Sequence, residues 1–178
     1  MRTMIQRLAV TEPQLSPLIL RIVFAIVLWP HGAQKLLGFF GGYGFTPTMQ
    51  HLITDAGLPS VIAFLVIVLE FFGSLLILFG LCTRLVAIAQ IILFTGMIVT
   101  QHIQFGFFMN WFGAQKGEGF EYHLLAIGLL ISLIITGAGK ASLDALIHNK
   151  RSRLIVGSFI NYIHQSIHFF CDEDREIG

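Results

Sequence analysis

The sequence predicts an all-α integral membrane protein: a four-transmembrane-helix bundle followed by a C-terminal cytoplasmic interfacial helix. Three observations predict it. Of the 178 residues, 55% are hydrophobic and only 12% charged, against about 25% charged in an ordinary soluble domain; mean hydropathy is +0.79. The uncharged residues gather in runs close to the roughly 20 residues that a helix needs to cross a hydrocarbon layer about 30 Å thick. Connections rich in Gly, Pro and aromatic residues, the residues that punctuate helices, separate those runs. On this reading 1–147 is one transmembrane domain and 148–178 is an amphipathic cytoplasmic tail.

Residues 1–16 are a polar start in which Ser16 reads as an N-cap and Pro17 as the first helical residue. The first span runs from 17 to 36, with Pro30 a place for a kink because it removes a backbone donor just before His31. It is not a cleaved signal peptide: it approaches twenty residues, ends without a small-x-small site, and contains Arg21, His31 and Lys35. Residues 37–59 form a connection rich in Gly and aromatics, within which 46–54 suits a short helix. The second span covers 60–80, interrupted by Glu70, Gly73 and Ser74. Gly80-Leu-Cys-Thr-Arg84 is a tight turn, the third span covers 84–103, and 104–120 is a second aromatic loop suited to an interface or a lid. The fourth span covers 121–137; Gly137-Ala-Gly-Lys140 stops it and Ser142-Leu-Asp144 starts a new element. From Leu154 to Phe170 apolar residues fall near helical spacing behind a basic stretch, the pattern of an interfacial helix, and 172–178 read as disordered.

Lys and Arg near the span ends set the orientation. Arg2, Arg7, Arg84, Lys140, Lys150, Arg151 and Arg153 fall on one side, Lys35 and Lys116 on the other. The first side is expected in the cytoplasm, with both termini. Cys82 and Cys171 fall on that side and form no CxxC, so no redox or zinc motif is read from them. A net charge of +1 without a basic patch gives no reason to expect nucleic acid.

With alternating directions, depth gathers the polar residues. His31, Gln34 and Lys35 end the first span, Gln101 and His102 end the third, and Glu121 and His123 begin the fourth, all on the outer side, with Glu70 near mid-membrane below them. Ionisable groups at membrane depth are costly and mark function. His31 and Lys35, four apart, share a helix face. They, with Gln101 and His102, suit ligand binding; Glu70, Glu121 and His123 suit proton transfer. Glu121 and His123, two apart, point to nearly opposite sides of a regular helix. Arg21 lies deeper and is expected either to pair with Glu70 or to reach the cytoplasmic headgroups. Gln90 and Gln101 share a face and suit hydrogen bonds between helices. A haem or metal reading would use His31, His102 and His123 with Glu121 or Glu70. No HxxH, HxxxH or HExxH places two ligands on one turn, and no metal is expected.

These motifs together resemble the DoxX family of bacterial inner-membrane proteins. The resemblance is carried by Arg21, by His31-Gly-Ala-Gln-Lys-Leu-Leu-Gly38, by Gly57-Leu-Pro59 with Glu70-Phe-Phe-Gly-Ser74, by Gly80-Leu-Cys-Thr-Arg84, by Gly119-Phe-Glu-Tyr-His123 and by Gly137 to Asp144, over residues 15–147. It implies four membrane helices and an oxidoreductase label. Related members look like membrane subunits of thiosulfate:quinone oxidoreductase, and others associate with redox or oxidative-stress partners. Gly41-Gly-Tyr-Gly44 follows a membrane helix and is no dinucleotide fingerprint. The expected function is a membrane subunit of a quinone-linked redox system in the inner membrane, with no covalently bound cofactor and with a quinone or a small anion in the polar cluster. Membrane lipids and a redox partner protein or further copies of the chain are the expected partners. The alternatives are a scaffold or small-solute permease, and a haem or metal protein.

Overall fold

The computed structural model describes residues 14–148; the expected tail helix over 154–170 and the basic residues Arg2, Arg7, Lys150, Arg151 and Arg153 lie outside them. Every regular element among the described residues is helical. Helix α1 is Ser16–Leu37. A single 3-10 turn, Phe39–Gly41, leads to the short α2, Phe45–Thr54. Helix α3 is Ser60–Phe79, widened to a π turn at Leu69–Gly73. Helix α4 is Thr83–Phe105, with a second π turn at Ile98–His102. Helix α5 is Glu121–Thr136. The chain divides into two units after Ala145, and helices α1 to α5 all belong to the first.

Helices α1, α3 and α4 hold 22, 20 and 23 residues and are long and apolar enough to cross a membrane. Helix α5 has 16 residues, roughly 24 Å at 1.5 Å per residue, short of the ~30 Å hydrocarbon core. Helix α1 packs on α3 and α5, and α4 packs on α5 and α3. Phe24 and Leu28 of α1, Ile77 of α3, Phe94 of α4 and Leu130 and Leu133 of α5 close the core between them, with Phe24 edge-on to Phe94 at 6.2 Å. The outward faces are equally apolar: Ile22 and Ile26, Phe64 and Phe72, Leu85 and Ile92, Leu125 and Ile135 are all exposed. Helices with apolar residues all round are solvated by lipid, where association rests on close packing.

Two details of α1 differ from the expectation. Ser16 is already helical, Leu15 holds the cap position, and no side chain caps the end. Pro17 has no N–H for a cap to satisfy, and the Leu15 carbonyl accepts from Ile19 N–H at 3.2 Å. The helix also runs through Pro30 as one element. Just past it, Gly32 brings the α1 backbone close against α3. A Cβ there would sit 2.5 Å from Phe71 N and 2.6 Å from Glu70 C, so only a glycine lets α1 lie on the π turn of α3.

The other end of the bundle is closed by a polar knot. Arg21 is fully buried, with 0% exposure, and neither pairs with Glu70 nor reaches a headgroup. Its guanidinium donates to the carbonyls of Leu78 (3.2 Å), Lys140 (2.7 Å) and Ala141 (3.2 Å). Leu78 lies in the last turn of α3, where carbonyls lack intrahelical partners and a cation complements the helix dipole, and Lys140 and Ala141 lie in the turn after α5. Arg84 does the same for α5, donating from Nε to Ile134 O at 2.8 Å. Asp144 accepts from the N–H groups of Cys82 (2.8 Å) and Thr83 (3.0 Å), a carboxylate at the positive end of α4. Gly80, at φ +65°, turns the chain against the Arg21 guanidinium and leaves no room for a side chain. The Gly80–Arg84 and Gly137–Asp144 motifs are thus the two halves of one tie.

Candidate ligand cavity at the Lys35–Glu70 pair

Lys35 lies two residues before the end of α1 and Glu70 at the middle of α3. Contact between Gly32 and the π turn brings them together, and Lys35 Nζ donates to Glu70 Oε2 in an ion pair. The Glu70 side chain is 1% exposed and that of Lys35 26%. A carboxylate so deep in an apolar bundle persists as an ion only with such a partner. The π turn needs its own compensation. Its wider spacing interrupts the carbonyl ladder, and Gln90 of α4 donates from Nε2 to Leu69 O at 2.6 Å. The amide also lies against Gly73, where a Cβ would be 2.5 Å from Nε2. Gln90 therefore ties α3 to α4, a bond between helices as its position suggests.

Beside the ion pair is a cavity of about 270 Å³, lined by His31 and Lys35 of α1, Glu70 of α3, Phe94, Met97 and His102 of α4, and Tyr122 and His123 of α5. Met109 and Glu118 of the 106–120 loop complete the wall. The His102 and His123 rings face each other with centroids 4.2 Å apart. His102 is fixed from behind by its Nδ1 against Glu118 O at 2.8 Å. His123 is 5% exposed, and its Nδ1 has no hydrogen-bond partner among the described residues. A buried polar atom without a partner is an uncommon and costly feature, and here its residue lines the cavity.

The structure gathers five of the expected site residues around this cavity: His31, Lys35, Glu70, His102 and His123. Two stand apart. Glu121 turns to the loop, where its Oε1 accepts from Met109 N–H at 2.9 Å and Trp111 Nε1–H at 3.0 Å. Gln101 lines a separate, apolar groove between α3 and α4. Arg21 belongs to the knot at the opposite end. Tyr122 and Glu118 are lining residues that sequence reasoning did not single out. Tyr122 stands one residue from His123, and Glu118 sits in a loop whose register only the fold defines. Among the described residues no three His, Cys, Asp or Glu side chains come together as a metal-ligand set.

A second space, about 540 Å³, opens on the other side of Lys35 between the end of α1 and α2, lined by Gln34, Tyr43, Thr48 and His51 among others. On α2, His51 Nδ1 meets Asp55 Oδ2 at 2.7 Å. That contact and the Thr54 hydroxyl hold the Asp55 carboxyl below its ordinary value.

Fold and site define a helical membrane protein with a largely buried ion pair facing a half-open cavity. The DoxX family model matches residues 16–103. A relative from Escherichia coli (strain K12), named "Inner membrane protein YqjF", is 34% identical over 133 residues, covering 75% of this chain and 92% of its own. Another from Bacillus subtilis (strain 168), named "Putative oxidoreductase CatD", is 29% identical over 134 residues, covering 75% of this chain and 88% of its own. The chain belongs to the DoxX family. No solved structure matches it.

Proposed function

We propose that this protein is the membrane subunit of a quinone-linked redox system in a bacterial inner membrane, with the quinone head in the cavity at Lys35 and Glu70. The observation that carries the reading is the pairing of a buried Lys35–Glu70 ion pair with the unpartnered His123 Nδ1 across a cavity otherwise walled by Leu28, Phe94, Met97 and Tyr122. Such a space suits a flat, largely apolar ring that offers hydrogen-bond acceptors to donors at its rim. The relatives' names supply the location and the redox class.

In this reading His31 and Lys35 donate hydrogen bonds to the ring oxygens and hold the head in place. A small anion would use the same two residues. Reduction of a quinone to the quinol takes two electrons and two protons. A two-electron donor carried by a partner protein supplies the electrons, and Glu70 and His123 relay the two protons to the ring oxygens, each taking up a proton from the aqueous side before passing it on. Glu121 anchors the loop that closes the cavity, through Met109 and Trp111, and so acts on the site from behind. Helix α5 is the fourth span, completed by the turns at its ends, and the Arg21 end faces the cytoplasm.

The test is quinone-dependent electron transfer in membranes that hold the full chain, with mass spectrometry of lipophilic molecules retained by protein purified in mild detergent. A bound quinone, lost with activity in His31→Ala, Lys35→Ala and Glu70→Ala, is the expected outcome. Full activity in all three variants sinks the reading. Saturable ligand binding without electron transfer would instead make the protein a scaffold or permease.

A further inference from the structure

Three spaces meet at Lys35: the cavity, the opening beside α2, and an apolar groove between α3 and α4. The groove encloses about 310 Å³ and shares Lys35 and Met97 with the cavity. Its walls are Ile62, Leu65 and Leu69 on one side and Ala89, Ile92 and Gly96 on the other, with Leu52 of α2 and Leu58 also lining it and Thr100 and Gln101 its polar groups beside Lys35. From Ala89 to Thr100 it follows α4 for three turns, roughly 16 Å at 1.5 Å per residue.

We infer that this groove holds the apolar tail of the molecule whose head occupies the cavity, and that the ligand enters sideways from the bilayer between α3 and α4. The inference rests on the quinone reading and adds the route and the tail. Three observations support it. Ile62, Leu65 and Ile92 line the groove and are themselves exposed on the apolar outer face, so the groove opens where lipid lies. Met97, an unbranched and adaptable side chain, stands on the boundary between groove and cavity. A Cβ at Gly96 would meet nothing within 4 Å, so the groove is open there. An occupant that is polar at one end and apolar along roughly three helical turns matches the two adjoining spaces; a small water-soluble solute matches only the first.

The open position at Gly96 supplies the test. Gly96→Leu projects a side chain into the groove from a position whose Cβ meets no neighbour and removes a helix-weakening glycine. Gly128 of α5 also has open space around its Cβ and is not part of the groove, so Gly128→Leu is the control. Binding to the full chain in detergent is measured by calorimetry for tail-less ubiquinone-0 and for decylubiquinone, which carries ten tail carbons. The expected result is that the wild type and Gly128→Leu prefer the decyl compound, whereas Gly96→Leu loses most of that preference and keeps its affinity for ubiquinone-0. Each tail methylene buried is worth roughly fourfold in affinity, so displacing two weakens decylubiquinone roughly tenfold or more. Ala89→Leu, at the far end, should reduce the preference less. An undiminished preference in both Gly96→Leu and Ala89→Leu overturns the groove while leaving the head site standing. Failure of the wild type to bind either compound overturns the quinone reading and the groove assignment with it.

Discussion

The bundle carries buried charge at both ends, and the two ends treat it differently. At one, Arg21 is wholly enclosed, directs its donors to three backbone carbonyls, and ties the Gly80 turn to the segment after α5. At the other, Lys35 and Glu70 hold each other beside an open cavity, and one of the imidazoles lining it, His123, has a ring nitrogen with no partner among the described residues. A cation whose two terminal nitrogens are held by fixed backbone groups, with only its Nε unpartnered among the described residues, is part of the architecture. A charge pair left next to empty space, with unused hydrogen-bonding capacity around it, is available to a ligand. The difference teaches that depth in the membrane does not separate structural from functional charge; what lies beside the charge, packed backbone or open space, does.

The largest effect expected from breaking this contrast is at the closed end. Arg21→Ala removes the only side-chain donor described for Leu78, Lys140 and Ala141 carbonyls and leaves a cavity. It should cost about 3–5 kcal/mol, read as a large fall in the midpoint of thermal unfolding in detergent, with loss of folded yield. If Arg21→Ala unfolds at the wild-type temperature, the knot is not what holds that end. Gly32→Ala comes next. Its methyl would press on Phe71 N and Glu70 C, and forcing α1 off the π turn should cost about 1–3 kcal/mol and weaken ligand binding by separating Lys35 from Glu70.

The open end should behave asymmetrically. Glu70→Gln leaves Lys35 26% exposed and able to reach water, whereas Lys35→Met strands a carboxylate that is 1% exposed. Lys35→Met should therefore destabilise more than Glu70→Gln, and the double variant should recover part of that loss. The coupling in such a cycle is expected within about 0.5–3 kcal/mol; zero coupling would mean the pair contributes nothing to the fold. His123→Phe keeps the ring volume and removes the unpartnered nitrogen. Stability should stay within about 1 kcal/mol of wild type, while ligand binding falls. The smallest effect belongs to the exposed α2. His51→Ala removes the first cause of the lowered Asp55 pKa, so the Asp55 titration followed by NMR should move up. With the pKa depressed in the folded state, the contact is present above the ordinary carboxylate range and is lost as the pH falls below about 4.

Much of this was legible in the residues. The spans at 17–36, 60–80 and 84–103 follow from apolar length alone, and the observed helices keep those bounds to within a few residues. Placing His31, Lys35, Glu70, His102 and His123 at neighbouring depths also needed no structure, because rise per residue and alternating direction are enough. The opposed directions of Glu121 and His123 follow from helical periodicity, although which of them faces the cavity does not. The pairing of Lys35 with Glu70 was not legible. Sequence places a side chain along the helix axis, but partner choice depends on rotation about that axis. The π turn at Leu69–Gly73 inserts one residue and rotates the remainder of α3 by about 100°, and nothing in Leu-Glu-Phe-Phe-Gly signals it.

The sequence by itself determined that the protein is helical and membrane-embedded, that most of its polar residues gather toward one side of the bundle with Arg21 deeper, and that it carries the DoxX motifs. Those properties depend on hydrophobic length and on the order of residues along each helix, which are local. Only the tertiary structure decided that Arg21 caps carbonyls instead of meeting Glu70, that Lys35 takes Glu70, and that Gln101 faces an apolar groove while Glu121 holds a loop. These depend on how closely α1 approaches α3 at Gly32 and on the helical rotation set by the π turn. Helices solvated by lipid gain little from burying one apolar face over another, so close contacts and hydrogen bonds between them set the rotation that selects each partner.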